Sequence, residues 1–199
     1  TADIISAAQK ITASKTFDNA TSCSSENSIV IVDAVFDKTI AALEAEGGTL
    51  LNPVEKQKLQ NALWMQGRLN PDLIAKSAQV IAGAIELQRP EMNQVKILMV
   101  EETGTGCEYP FSGEKLCPVL TVYRASNFEA ACQQVRKVYD YQGKGHSVGL
   151  HSQDESRPLK MGLSLPACRV IVNQAHCFAT GGNFDNRMPF SLSMGCGTW

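Results

Sequence analysis

The sequence predicts one α/β domain in three layers (αβα), with helices covering both faces of a mainly parallel sheet. Three observations lead there. Apolar, β-branched segments of strand length alternate along the chain with stretches whose apolar residues recur every three to four positions. The strand segments are apolar on both faces, as strands lying between two helical layers must be. The 199 residues, 44% hydrophobic and 19% charged, suffice for one large domain with a real core, and they contain no internal repeat, low-complexity tract or interdomain linker.

The elements follow in order. Ile4, Ile5, Ala8 and Ile11 have helical spacing, so the chain opens in a helix that leads to a polar turn around Cys23. Ser28 to Val32 reads as a buried strand. Asp33 to Glu46 carries its apolar residues on one helical face and is stopped by Gly47-Gly48. Thr49-Leu50-Leu51 is a short strand. Asn52-Pro53 is a cap followed by a first-turn proline, which starts a helix over Val54 to Met65. Asn70-Pro71-Asp72 has the same form and predicts a short helix to about Ser77. Lys96 to Val100, Val119 to Tyr123, Ser147 to His151 and Arg169 to Asn173 are further strands, and Asn127 caps a helix running to about Tyr141.

Composition excludes several classes of function. A formal net charge of -2 gives no general attraction to nucleic acid or to an anionic membrane, and the aromatic residues lack basic interleaving. No apolar run approaches the roughly 20 residues of a membrane span. Seven cysteines, without a C-x-x-C pair or regular spacing, argue against a disulfide framework or a zinc site and favour a reducing cytoplasm; no metal is expected. No signal-peptide pattern opens the chain. Both ends read as cut, from Thr1 directly into a helical pattern and at Trp199 without a polar tail, so an excised piece of a longer protein is expected. Gly104-Thr105-Gly106, Gly143-Lys144-Gly145 and Gly181-Gly182 fall at strand ends, but none has a phosphate-loop form between a strand and a helix, and they read as turns.

Cys23 is the most informative residue. It lies among small polar residues just before the Ile29-Val30-Ile31-Val32 run, whereas a structural cysteine usually lies inside such a run. On a turn, a thiolate can be offered to a carbonyl once a helix end or a cation lowers its pKa from about 8.5. Cys132 and Cys168 fall in a helix and at a strand start, and are expected in the core.

Three segments together resemble the CoA-acylating branch of the aldehyde dehydrogenase superfamily. They are Lys15-Thr16-Phe17-Asp18-Asn19 through Cys23 to Ser28, Glu114-Lys115-Leu116-Cys117-Pro118-Val119-Leu120, and Gly145-His146-Ser147. The closing Ser191 to Trp199 resembles that branch's end of the catalytic domain. Ala20 departs from the pattern, since relatives usually carry glycine there; it is expected to tighten the turn beside Cys23. The resemblance implies a catalytic domain without its dinucleotide-binding partner domain, inactive alone, and a full-length homo-oligomer that oxidises an aldehyde to an acyl-CoA with NAD or NADP. Cys23 then forms a thiohemiacetal and a thioester, its backbone N–H helping to hold the oxyanion, and CoA takes the acyl group.

Further roles follow from the same resemblance. Glu114, by position a loop carboxylate ahead of a strand, corresponds to the glutamate that holds the nicotinamide ribose hydroxyls. His146 is a candidate base for the CoA thiol, with a plain backbone-bonded histidine as the alternative; His151 is expected to be structural. The polar, glycine-containing stretch from Asn173 to Arg187 corresponds to a loop lining the aldehyde tunnel, which makes Arg187 and His176 candidates for binding an anionic substrate end and places Cys177 in the same loop. The closest look is to sulfoacetaldehyde and succinate-semialdehyde dehydrogenases. Two alternatives stand beside this reading: a hydrolytic aldehyde dehydrogenase, in which water ends the thioester, and a non-catalytic α/β binding or oligomerisation domain with an inert Cys23.

Overall fold

The computed structural model describes residues 2–181. Helix α1 (Ile4–Thr16) begins on Asp3, whose carboxylate accepts the Ser6 N–H at 3.1 Å, and ends in a 3-10 turn, Phe17–Ala20. Strand β1 (Ser28–Val32), helix α2 (Phe36–Ala45), strand β2 (Gly48–Leu50) and helix α3 (Pro53–Leu63) follow. Strands β3 (Trp64–Met65) and β4 (Arg68–Leu69), helix α4 (Ala78–Ala84), strands β5 (Ile97–Glu101) and β6 (Val119–Ala125) and helix α5 (Phe128–Tyr141) come next. Strand β7 (Gly145–Leu150), helix α6 (Arg157–Ser164), strand β8 (Ala167–Val172) and helix α7 (His176–Gly181) complete the described chain.

The main sheet is parallel, in the order β1-β6-β5-β2, and β7 pairs with β8 in a second parallel sheet. Alternation along β5 divides the core into the expected layers. Ile97 and Met99 pack with Ile11, Ile40 and Leu43 of α1 and α2 on one face, while Leu98 and Val100 pack with Leu59, Leu63 and Ile81 of α3 and α4 on the other. A third cluster joins Val148 of β7 to Met161 and Leu165, with Val135 and Tyr139 of α5 against it. No helix among the described residues is long and apolar enough to cross a membrane.

Several elements differ from the sequence expectation. Residues 71–75 are turns rather than a helix: Asn70 Oδ1 accepts the Asp72 N–H at 3.0 Å, and Ala75 at φ 61° breaks any helical run. The helix there starts later, capped by Ser77. The helix after Asn52 stops at Leu63, because Gln66 and Gly67, at φ 53° and 76°, form a tight hairpin that pairs Trp64 with Leu69. Ile5 is exposed, and the buried stripe of α1 runs through Ala7, Ala8 and Ile11. Cys168 is exposed because β8 lies at the edge of a two-stranded sheet.

Candidate active site

The turn before β1 is held in a conformation its residues do not favour. Asp18, Asn19 and Ala20 have φ of 48°, 49° and 60°, a region that costs a non-glycine residue roughly 1–2 kcal/mol. One bond to a distant segment and two within the turn hold it. Asn19 Nδ2 donates to the Ala75 carbonyl at 3.0 Å, and the Thr21 N–H and hydroxyl donate to the Asp18 carbonyl at 3.1 and 2.9 Å. Ala20 therefore sits where φ itself calls for glycine. The Ser25 N–H then donates to the Ser22 carbonyl at 2.9 Å, closing a turn with Cys23 and Ser24 at its centre and Cys23 half-buried.

Cys23 precedes β1, Glu114 precedes β6, and His146 is the second residue of β7, so the three candidate residues lie at the amino ends of three strands. Direct bonds join the segments. The Lys115 N–H donates to Asn27 Oδ1 at 3.1 Å, and the Glu114 N–H donates to Gln142 Oε1 at the end of α5 at 2.8 Å. Cys23, Glu114, His146 and His176 all line one cavity of about 860 Å³ between β1 and β7.

Four titratable groups to which the sequence assigned no role lie in these segments: Glu26, which lines the cavity, and Lys15, Lys115 and Cys117, which are buried. Lys15 and Lys115 are 1% and 0% exposed. Burial draws the Lys15 ammonium down to about 8, opposed by Cys117, Glu26 and Glu114 nearby. Lys115 is held well below the usual lysine range, and its Nζ donates to the carbonyls of Phe111 and Gly113 at 2.7 and 2.8 Å. Burial also raises the Cys117 thiol, against the pull of the two lysines. Glu26, three residues after Cys23, accepts the His176 N–H at 3.3 Å on Oε1, while Oε2 is buried with no hydrogen-bond partner.

Burial pushes the Glu26 carboxyl from 4.5 up to about 7, opposed by Ser14 and Lys15. An acid raised in this way contributes stability that is full below pH 4.5 and is lost as pH rises to 7. Glu26→Gln, neutral throughout, is expected to gain on the native protein by up to about 3 kcal/mol over that range, at roughly 1.4 kcal/mol per pKa unit. The gap between the two melting temperatures should widen from pH 4.5 to 7 and then hold. A constant gap would contradict a buried, titrating Glu26.

The stretch expected to be a polar loop from Asn173 onward contains helix α7, so His176 and Cys177 are buried helical residues. His176 Nε2 lies 2.6 Å from Ser147 Oγ, and desolvation, then His146, His151 and Arg169, lower its pKa to about 4. A neutral imidazole carries one N–H donor and no net charge. Cys177 packs behind the Cys23 turn, with its N–H on Ser14 Oγ at 2.9 Å and its Sγ accepting from the Ser24 hydroxyl at 3.8 Å. His151 also lines the cavity, its pKa lowered to about 4 by desolvation and by Lys10. Arg187 and the closing segment to Trp199 lie outside the described residues.

No protein-family model matches the chain. Its sequence is 58% identical over 193 residues to sulfoacetaldehyde dehydrogenase (acylating) of Cupriavidus necator, covering 97% of this chain and 39% of that protein. It is 34% identical over 198 residues to succinate-semialdehyde dehydrogenase (acetylating) of Clostridium kluyveri, covering 99% and 43%. The fold superposes on the crystal structure of an acetylating aldehyde dehydrogenase from Geobacillus thermoglucosidasius with a TM-score of 0.90 and 37% identity, over 99% of this chain and 43% of that one. The α/β fold with a thiol turn at its sheet's edge is thus that of an aldehyde dehydrogenase, and the chain belongs to the CoA-acylating branch of that family. It spans about two fifths of the length of the curated relatives it matches.

Proposed function

We propose that the chain is the nucleophile-bearing catalytic domain of an enzyme that oxidises an aldehyde to an acyl-CoA, and the reverse. The observation that carries this reading is the gathering of Cys23, Glu114 and His146, from three separate segments, around one cavity. Cys23 Sγ adds to the aldehyde carbonyl, giving a thiohemiacetal. When bound, NAD or NADP supplies the acceptor for the hydride that leaves this carbon, and a thioester on Cys23 results. His146 takes the proton of the CoA thiol, the sulfur attacks the thioester carbonyl, and Cys23 departs as a thiolate. Covalent capture divides one difficult oxidation into two easier steps.

Glu114 suits the nicotinamide end of the dinucleotide. Its carboxylate accepts two hydrogen bonds, as vicinal ribose hydroxyls require, and the backbone bond to Gln142 fixes its loop at the cavity. A short anionic aldehyde such as sulfoacetaldehyde or succinate semialdehyde is the substrate, a reading supported by the names of the relatives; Arg187 supplies the cation for its anionic end. The six described cysteines are free thiols, in keeping with a reducing cytoplasm. The full-length protein is a homo-oligomer, for which exposed Leu159 and Leu163 on α6 offer apolar surface.

The test is the requirement for CoA. With the full-length protein, aldehyde-dependent NAD(P)H formation should need CoA for every turnover beyond the first. Turnover at the same rate with water alone would overturn the acylating assignment in favour of a hydrolytic enzyme.

A further inference from the structure

The loop that carries Glu114 changes its anchors partway along. Up to Gly113 it is held by its own turn: the Ser112 and Gly113 N–H groups donate to the carbonyls of Tyr109 and Pro110 at 2.9 and 3.0 Å. The next two N–H groups leave the loop. That of Glu114 donates to Gln142 Oε1 at 2.8 Å, and that of Lys115 donates to Asn27 Oδ1 at 3.1 Å. Both acceptors are side-chain amides from other segments, so the place of Glu114 is set by what those amides stand on. Lys115 stiffens the piece between, its Nζ donating to the carbonyls of Phe111 and Gly113 at 2.7 and 2.8 Å. A displacement at the Lys115 N–H therefore carries Glu114 with it.

Asn27 stands on the nucleophile's own segment. It lies four residues after Cys23 and one before β1. Its carbonyl accepts the Thr121 N–H at 3.1 Å, beside the Ser28–Thr121 pair that opens the β1–β6 ladder. On its other side, Glu26 accepts the His176 N–H at 3.3 Å. The Asn27 backbone is thus tied to the sheet, and its short side chain joins the Cys23 segment to the Glu114 loop. Gln142 is different: it is exposed, ends α5 and reaches the loop on a longer side chain. Both amides hold Glu114, but only Asn27 refers it to Cys23.

We propose that Asn27 is a positioning residue: through the Lys115 N–H it holds the Glu114 loop at a set spacing from the Cys23 turn, and so places the nicotinamide end of the dinucleotide against the carbon that Cys23 has captured. The inference rests on the reading of Glu114 as the carboxylate that receives the nicotinamide ribose. Asn27 takes no part in the bond changes and acts by placement alone. Placement matters here because a misalignment of about 1 Å between reacting groups can cost roughly a hundredfold in rate. The step that depends on it is transfer from the Cys23-bound carbon to the dinucleotide. Attack of CoA on the finished thioester does not.

The experiment compares Asn27→Leu and Asn27→Asp in the full-length protein, each alone and combined with Glu114→Gln. Titration with NAD and with NADP gives dinucleotide affinity, iodoacetamide alkylation reports the Cys23 turn, and melting temperatures verify folding. Asn27→Leu, similar in shape but without an acceptor, should slow the NAD(P)H burst at saturating dinucleotide roughly ten- to hundredfold. CoA discharge of the acyl-enzyme and alkylation of Cys23 should stay near native. Asn27→Asp keeps an acceptor oxygen and should recover most of the burst rate. With Glu114→Gln already present, Asn27→Leu should cost little more, because residues that act through one another are not additive. If Asn27→Leu does not fold, Asn27→Ala carries the same test. Burst, discharge and alkylation falling together would mean a structural role only and would overturn the proposal. So would a native burst in Asn27→Leu beside a defective Glu114→Gln, or an undiminished further loss in the double variant. Native affinity and burst in Glu114→Gln itself would defeat the ribose reading and this inference with it.

Discussion

Cys23→Ala is expected to lower aldehyde-dependent NAD(P)H formation by about four orders of magnitude or more, since removal of a covalent nucleophile leaves only binding and orientation. The fold should survive. Cys23 is half-buried on a turn whose shape is set by its neighbours, through the bonds of Asn19 to Ala75, Thr21 to Asp18 and Ser25 to Ser22. Loss of one sulfur there removes little buried apolar surface. Cys177 does not substitute, because it is buried behind the turn in helix α7. A melting temperature within a few degrees of native, with activity lost, is the expected pair of results. Retained activity would mean that Cys23 is inert and would favour a non-catalytic domain.

His146→Ala should separate the two halves of the reaction. The first turnover, which needs only Cys23 and the dinucleotide, should still release a burst of NAD(P)H. The CoA-dependent steady state should then fall by about 10²–10⁴-fold, the usual contribution of a positioned base, and recover as pH rises toward the thiol's pKa. In the native protein, desolvation and Arg169 lower the His146 pKa from 6.5. A base works only when unprotonated, so the native CoA-dependent rate should hold to below pH 6.5 before it falls. A rate that already declines above that pH would contradict a desolvated His146 as the base. Stopped-flow traces with and without CoA measure both phases.

Local signals carried much of this in the sequence. Parallel β1, β5, β6, β7 and β8 lie close to the β-branched runs that predicted them, and Asn127 caps α5 through its bond to the Ala130 N–H. The Cys23 turn was legible because a thiol among small polar residues is unusual. What was not legible depends on contacts between distant segments. Ser147 and His176 are 29 positions apart, and Glu26 and His176 are 150 apart. No local pattern marks such pairs. Lysine composition reads as surface, yet Lys115 is buried because two carbonyls of its own loop take its ammonium. Helix α7 was concealed by the polar and glycine residues around it. The position of Glu26, a carboxylate three residues after Cys23, is the one sequence signal that could have found it.

The central claim is that Cys23 carries the acyl group between aldehyde and CoA. Intact-mass measurement of the full-length protein, mixed with aldehyde and oxidised dinucleotide but no CoA, tests it most directly. The account predicts one acyl addition per subunit, mapped to the peptide containing Cys23, stable in the absence of thiol and discharged as acyl-CoA within a turnover once CoA is added. An unchanged mass while NAD(P)H forms, or an adduct on another residue, would contradict it.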